Sequence, residues 1–283
     1  MTQEQPQQRA IKRVWTPVAQ QQSPIHTVAM VLEPGHTAEY DPFLLLAEDW
    51  FEHGTFDVHP HRGIETVTYV IEGTLHHYDS QHGEGGLGPG DVQWMTAGRG
   101  VIHKEDPLPG ERVHSLQLWV NLPRAEKMTE PRYQNLRAAD MPVREVPGGA
   151  VRVFSGSSGG VTAPTRNHVP VTMVDIQLAP GAAVTQDLPG DYNGFLYVLQ
   201  GSGVFGANDT EAQKGQALLL GSADKDKPSE VHIKARSDLR VLLYAGRPLH
   251  EPVVSYGPFV MNTKAEIIQA IEDYQNGTFT APR

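Results

Sequence analysis

Thr66-Val67-Thr68-Tyr69-Val70-Ile71 runs into Glu72-Gly73, and a further strand-like run leads to Gly88-Pro89-Gly90-Asp91-Val92. The second half repeats the order: Phe195-Leu196-Tyr197-Val198-Leu199, then Gln200-Gly201, then Lys214-Gly215-Gln216-Ala217. Each copy reads as strand, glycine turn, strand, glycine turn, strand, because β-branched and aromatic residues suit a pleated sheet and glycine supplies the turn. An offset of about 128 residues separates the copies. It predicts one module used twice, with a junction near Pro147-Gly148-Gly149. Similar short runs at 116–120, 171–178, 217–220 and 239–244, punctuated by 28 Gly and 22 Pro, extend the pattern. The expected fold is all-β, built of two β-barrels.

Helical signals are few. Thr263 is a natural N-cap and Glu266 completes a capping box for a helix over 264–276, with Gly277 as its stop. Ile267, Ile268, Ile271 and Tyr274 form the apolar stripe expected to pack on a barrel. A shorter turn is expected at 124–127, after Pro123. The Gln-rich start reads as a frayed tail. The resulting division is a tail at 1–10, a first barrel at 11–145, a second at 146–262, and a helix with its tail at 263–283.

The 283 residues, 39% hydrophobic and 20% charged, describe a globular chain. No run reaches the 18 or more apolar residues of a membrane span, and no basic-then-apolar leader opens the sequence. With no cysteine, disulfides, thiolate ligands and a cysteine nucleophile are excluded. A cytoplasmic location fits that absence. The formal charge of −10, without a Lys/Arg cluster, argues against direct nucleic-acid binding.

Chemistry concentrates in the first module. His59-Pro60-His61 places two imidazoles at i and i+2, which on a strand share one face. His103-Lys104-Glu105 repeats the spacing with a carboxylate as the second member. On neighbouring strands the two pairs would gather three imidazoles and one carboxylate. Nitrogen and oxygen donors without thiolate suit Fe, Mn, Ni, Cu or Zn, and open positions favour oxygen chemistry at Fe(II). Most of the thirteen histidines are expected to be ordinary. His76 and His77 are adjacent, so they face opposite sides and cannot jointly hold one ion. His53 and His114 read as solvated or as outer hydrogen-bond partners of a site. His82-Gly83-Glu84-Gly85-Gly86 reads as a polar hairpin tip, Ala97-Gly98-Arg99-Gly100 as a turn, and Lys225-Asp226-Lys227 as a solvated loop.

The run His59-Pro60-His61-Arg62-Gly63-Ile64-Glu65-Thr66, with Gly90-Asp91-Val92-Gln93-Trp94-Met95-Thr96-Ala97-Gly98-Arg99-Gly100 and Val101-Ile102-His103-Lys104-Glu105, resembles the signature of the pirin family. Gln117-Leu118-Trp119-Val120-Asn121-Leu122-Pro123, Pro131-Arg132-Tyr133 and Tyr256-Gly257-Pro258-Phe259-Val260-Met261-Asn262 extend the resemblance to roughly residues 10–276. It implies a bicupin, two cupin-type barrels in one chain with a short C-terminal helix. It also implies one divalent transition metal held by His59, His61, His103 and Glu105: Fe(II) first, with Mn, Ni, Cu, Co or Zn as alternatives. General cupins place a ligand glutamate soon after H-x-H, which would be Glu65; the pirin pattern assigns the position to Glu105. In the second module the place of H-x-H is expected at Asp191-Tyr192-Asn193-Gly194 and His232 is isolated, so that barrel is expected to be metal-free.

Two functions follow from the resemblance. Some pirin-like proteins are similar to quercetin 2,3-dioxygenases, which open the central ring of a flavonol with O2 and release carbon monoxide. That reading gives Glu105 the roles of ligand and base, with a small aromatic substrate. Other pirins resemble metal-dependent regulators that bind a transcription factor or a metabolic enzyme, and the acidic charge suits a protein partner.

Overall fold

The computed structural model describes residues 5–79 and 83–281. His82, at the start of the expected hairpin tip, lies outside the described residues, and Gly83–Leu87 after it is a strand. The chain forms two compact units that draw on both of its ends. One comprises residues up to Pro17 together with Ala139–Pro248; the other comprises Val18–Ala138 and the residues from Leu249 onward. This differs from the sequential division expected above, and strand pairing explains the first crossing. Ile11–Trp15 pairs with Ala217–Leu220, and Gln7–Gln8 lies parallel to Ser229 and Glu230. Arg9 is buried, its guanidinium donating to the carbonyls of Gly221 and Tyr192. The expected frayed tail over 1–10 is therefore corrected from Gln7 onward: its polar side chains hid a backbone that supplies ladder hydrogen bonds.

In the N-terminal domain, a seven-stranded sheet runs in the order Arg132–Leu136, Val92–Thr96, Ile64–Glu72, Arg112–Asn121, Phe43–Glu52, His26–Leu32, Ala19–Ser23. A four-stranded sheet runs His59–His61, Val101–Asp106, Leu75–Asp79, Gly83–Leu87. The C-terminal domain repeats both orders. Ala217–Leu220, Asn193–Gln200, Leu239–Gly246 and Val171–Leu178 are the counterparts in the larger sheet. Ala183–Pro189, Pro228–Ala235, Ser202–Phe205 and Thr210–Gln213 are the counterparts in the smaller one. Even single bonds recur: Gly90 N–H donates to the Val70 carbonyl and Gly215 N–H to that of Val198, both at 2.8 Å.

The two interiors differ. In the C-terminal domain one apolar cluster reaches from Leu196, Val198 and Leu243 to Val231 and Ile233. In the N-terminal domain one cluster forms around Ile64, Met95 and Val101 and a separate one around Phe51, Val70 and Leu75.

The C-terminal helix spans Lys264–Gln275 and is capped by Thr263, whose hydroxyl accepts from Glu266 N–H. Ile267, Ala270 and Ile271 make its packed face against Phe259, Met261 and Phe279. Ile268 is exposed, a correction to the expected stripe: a narrow strip is enough to seat one helix. The expected turn near residue 124 is a 3-10 turn over Arg124–Glu126. No helix among the described residues is long and apolar enough to cross a membrane.

Candidate metal centre

His59–His61 is a three-residue strand, antiparallel to Val101–Asp106, with His61 opposite Val101 and His59 opposite His103. On the other side of Val101–Asp106 lies Leu75–Asp79, with Glu105 opposite His77 and His103 opposite Asp79. Alternation along these strands turns His59, His61, His103, Glu105 and His77 to one face. Ring centroids are 4.9 Å apart for His59–His61, 4.6 Å for His59–His103 and 5.1 Å for His61–His103. One nitrogen from each of these three histidines lies within 4.8 Å of the others, and a second such group joins His77, His103 and Glu105. Three of the four residues singled out from the sequence, His59, His61 and His103, thus form one group, and Glu105 shares the other with His103 and His77.

The donors are in the form a metal needs. Both ring nitrogens of His61 and Nδ1 of His103 are buried without a hydrogen-bond partner among the described residues, a costly arrangement for a core that holds nothing there. Burial, then the neighbouring imidazoles, holds the pKa of His61 and of His103 well below the usual histidine range. Both rings stay neutral and keep a lone pair at physiological pH. His59 Nδ1 lies 2.8 Å from the Asp57 carbonyl, which only accepts, so Nδ1 carries the proton and the lone pair falls on Nε2, which lies 3.1 Å from His103 Nε2. Glu105 accepts from Gln117 Nε2 at 2.7 Å and from Thr68 Oγ1 at 3.3 Å. Gln117 is itself oriented by Trp119, whose Nε1 donates to Oε1 at 3.1 Å. This set of nitrogens and a carboxylate fits a divalent transition metal.

Glu65 lies outside the cluster. Gly63, at φ +79°, breaks the strand between His61 and Ile64, so parity does not carry over from one histidine to the next strand. Thr68 bonds Glu105, which gives the site face to the even positions and the opposite face to Glu65. Glu65 is fully buried, accepts from Thr96 Oγ1 at 2.7 Å, and burial pushes its carboxyl up to about 7. His53 is bound to Asp106 at 2.9 Å and is substantially exposed. His114 stacks on Trp50 and pairs with Glu48 at 2.9 Å. Neither reaches the cluster.

His77 was missed for an instructive reason. His76 and His77 do face opposite ways, as adjacent strand residues must, and one of those ways is inward. His77 is buried, its ring 5.6 Å from His103 and 4.3 Å from Tyr133. Counting parity from the Gly73 turn, through the partnership of Glu105 with His77, is the signal that finds it. A cavity of about 240 Å³ opens beside the cluster, lined by His59, Glu105, Thr68 and Gln117 and walled by Phe51, Phe56, Leu75 and Trp119.

Residues 21–120 match the Pirin family and residues 173–280 the Pirin C-terminal cupin domain. The chain belongs to the pirin family. Pirin-like protein 2 of Arabidopsis thaliana is 45% identical over 242 residues, covering 84% of this chain and 75% of that protein. Among solved structures, a Geobacillus kaustophilus protein is 65% identical with a TM-score of 0.87, covering 88% of this chain and all of the other. A quercetin 2,3-dioxygenase from Acinetobacter baumannii is 33% identical with a TM-score of 0.84, covering 96% of this chain and 98% of that one.

In this pirin the second cupin domain carries a different set. Matching the Gly73 and Gly201 turns and following the strand registers puts Gln186, Leu188, Val231 and Ile233 at the places of His59, His61, His103 and Glu105. Leu196, Val241 and Leu243 take the places of Thr68, Ser115 and Gln117. The stretch Asp191-Tyr192-Asn193-Gly194, expected at the H-x-H position, corresponds instead to the turn after it, where the next strand begins. The apolar cluster of the C-terminal domain runs through the places that hold donors in the N-terminal one.

Proposed function

We propose that His59, His61, His103 and Glu105 hold one divalent transition metal, Fe(II) ahead of Mn, Ni, Cu, Co or Zn, in a cytoplasmic dioxygenase acting on a flavonol such as quercetin or a related enolic phenol. The carrying observation is the cavity of about 240 Å³ whose wall includes His59 and Glu105, so a bound molecule meets the donor set directly. When bound, the metal supplies a Lewis acid and a redox partner for substrate and O2. The remaining work falls to the chain's own residues. Glu105, held by Gln117 and Thr68, is positioned to take the proton of the substrate hydroxyl. Phe51, Phe56 and Trp119 offer flat apolar walls to an aromatic ring and exclude water from it. His77, its ring 5.6 Å from that of His103 and 4.3 Å from that of Tyr133, borders the same donor group.

The relationship to a quercetin 2,3-dioxygenase at 33% identity over nearly the whole chain supports the same reading. The competing role, a metal-dependent regulator binding a transcription factor or metabolic enzyme, requires no cavity at the donor set; the cavity favours the enzyme. The test is an aerobic assay of the iron-loaded chain with quercetin, following the flavonol absorbance. Iron-dependent loss of that absorbance is expected. A chain that holds iron and leaves quercetin unchanged would hand the lead to the regulatory reading.

A further inference from the structure

The cavity has a second polar end. Asp49 and Ser115 both line it, and they face each other across the pairing of Phe43–Glu52 with Arg112–Asn121. Both are buried, at 8% and 3% exposure. Asp49 is fixed by His26, whose Nε2 lies 2.7 Å from Oδ1. Among the described residues neither Asp49 Oδ2 nor Ser115 Oγ has a hydrogen-bond partner, and both residues border the open space of the cavity. The aromatic rings beside them are equally fixed: His26 sits edge-on to Phe56 at 5.2 Å, and Phe56 edge-on to Phe51 at 4.9 Å.

Polar groups that border a cavity without a protein partner are available to a ligand or water. These two stand apart from the metal ligands. Gln117, which holds Glu105, lies two residues beyond Ser115 on the same strand, a displacement of about 7 Å. Asp49 and Thr68 lie on opposite flanking strands, which adds a lateral separation of about 10 Å. A single small ring bound at Glu105 does not bridge that distance; a fused or linked polycyclic phenol does.

We propose that Asp49 and Ser115 form a second subsite of this cavity, which receives a phenolic hydroxyl at the end of the substrate remote from the metal ligands. The assignment rests on the dioxygenase reading and narrows it: the substrate is a flat, elongated aromatic that offers an enolic oxygen at one end and a hydrogen-bond donor at the other. Asp49 accepts from that donor through Oδ2, while His26 keeps the carboxylate in place. Ser115 accepts from the same hydroxyl or donates to its oxygen. In the C-terminal domain the corresponding pair is Ile176 and Val241, so the feature belongs to the domain with the cavity.

The test compares quercetin with 3-hydroxyflavone, which keeps the enolic oxygen and adjacent carbonyl but lacks the remote hydroxyls. Dissociation constants are measured anaerobically on the iron-loaded full chain, by the shift of the flavonol absorption band, with iron content read on the same samples. The wild type is expected to bind quercetin about 10-fold or more tighter than 3-hydroxyflavone, the range of a hydrogen bond to a charged group. Asp49→Leu is expected to bring the ratio close to one with iron content unchanged. Ser115→Ala, a milder change, is expected to lower it by a few-fold and tests the subsite even if Asp49→Leu folds poorly. Equal affinities in the wild type, or an unchanged ratio in folded, iron-replete variants, would overturn the subsite and leave the dioxygenase reading standing. If the wild type binds neither flavonol, both fall together.

Discussion

Glu65 shows how burial alone can set a pH response. Its carboxyl sits at about 7 against an ordinary 4.5, raised by burial and only partly offset by the Thr96 hydroxyl, Trp94 and Arg132. A raised folded value means the folded state holds the proton more tightly than the unfolded chain. The contribution is therefore full below about 4.5 and lost as pH climbs through 7. Wild-type stability should fall on that account by about 3 kcal/mol between pH 5 and pH 8, and Glu65→Gln should flatten the profile, measured by urea unfolding at the two pH values. An unaltered slope would mean that the folded protein keeps Glu65 ionised. At the neighbouring cluster, His61→Ala should lose metal by orders of magnitude while circular dichroism stays that of the wild type, since no described hydrogen bond depends on that ring. Glu105→Gln should keep most of its iron and lose at least about 100-fold in flavonol turnover per iron, the low end of general-base effects; unchanged turnover per iron would remove Glu105 as a base. The candidate ligands were legible in the sequence because i, i+2 spacing on a strand is a local geometric signal. His77, Asp49 and the orientation of Glu65 were not, because each depends on where a strand's phase begins.

Among the elements, the C-terminal segment holds the ligand strand from outside its own stretch of sequence. Arg62 follows His61 directly; its guanidinium donates to Asp273 at 2.7 Å and to the Phe279 carbonyl at 3.0 Å, and stands 4.3 Å from the Phe279 ring. Lys127 Nζ donates to the carbonyls of Gly63 and Val260, both at 2.8 Å. A Cβ at Gly63 would lie 2.0 Å from the Val260 oxygen, so the turn after His61 tolerates no side chain. Asp273→Ala breaks a buried ion pair and should cost about 3 kcal/mol or more, seen in urea unfolding. Because Arg62 adjoins His61, iron retention during dialysis should fall as well. Normal stability and retention would show that the helix is a passive cover. The helix itself could be read from Thr263, Glu266 and Gly277, since capping is local chemistry. Its attachment to Arg62 could not, because the partners are about two hundred residues apart.

Over the whole molecule, one β-module occurs twice and its interior has been used in two ways. The duplication was visible in the paired Gly73 and Gly201 turns, whose φ values of +81° and +73° restrict them to glycine. The exchange of chain ends was not, because a Gln-rich strand carries no hydrophobic pattern and gains its place from backbone pairing. The donors of the N-terminal domain become Gln186, Leu188, Val231 and Ile233 in the C-terminal one, a set that offers a metal one amide at most. The two interiors therefore predict a single ion, in one domain, on four named residues. Anomalous diffraction at the iron edge from crystals of the iron-loaded chain tests it most directly. One peak bounded by His59, His61, His103 and Glu105 is the predicted result. A peak elsewhere, or a second ion held by residues of 160–250, would contradict it.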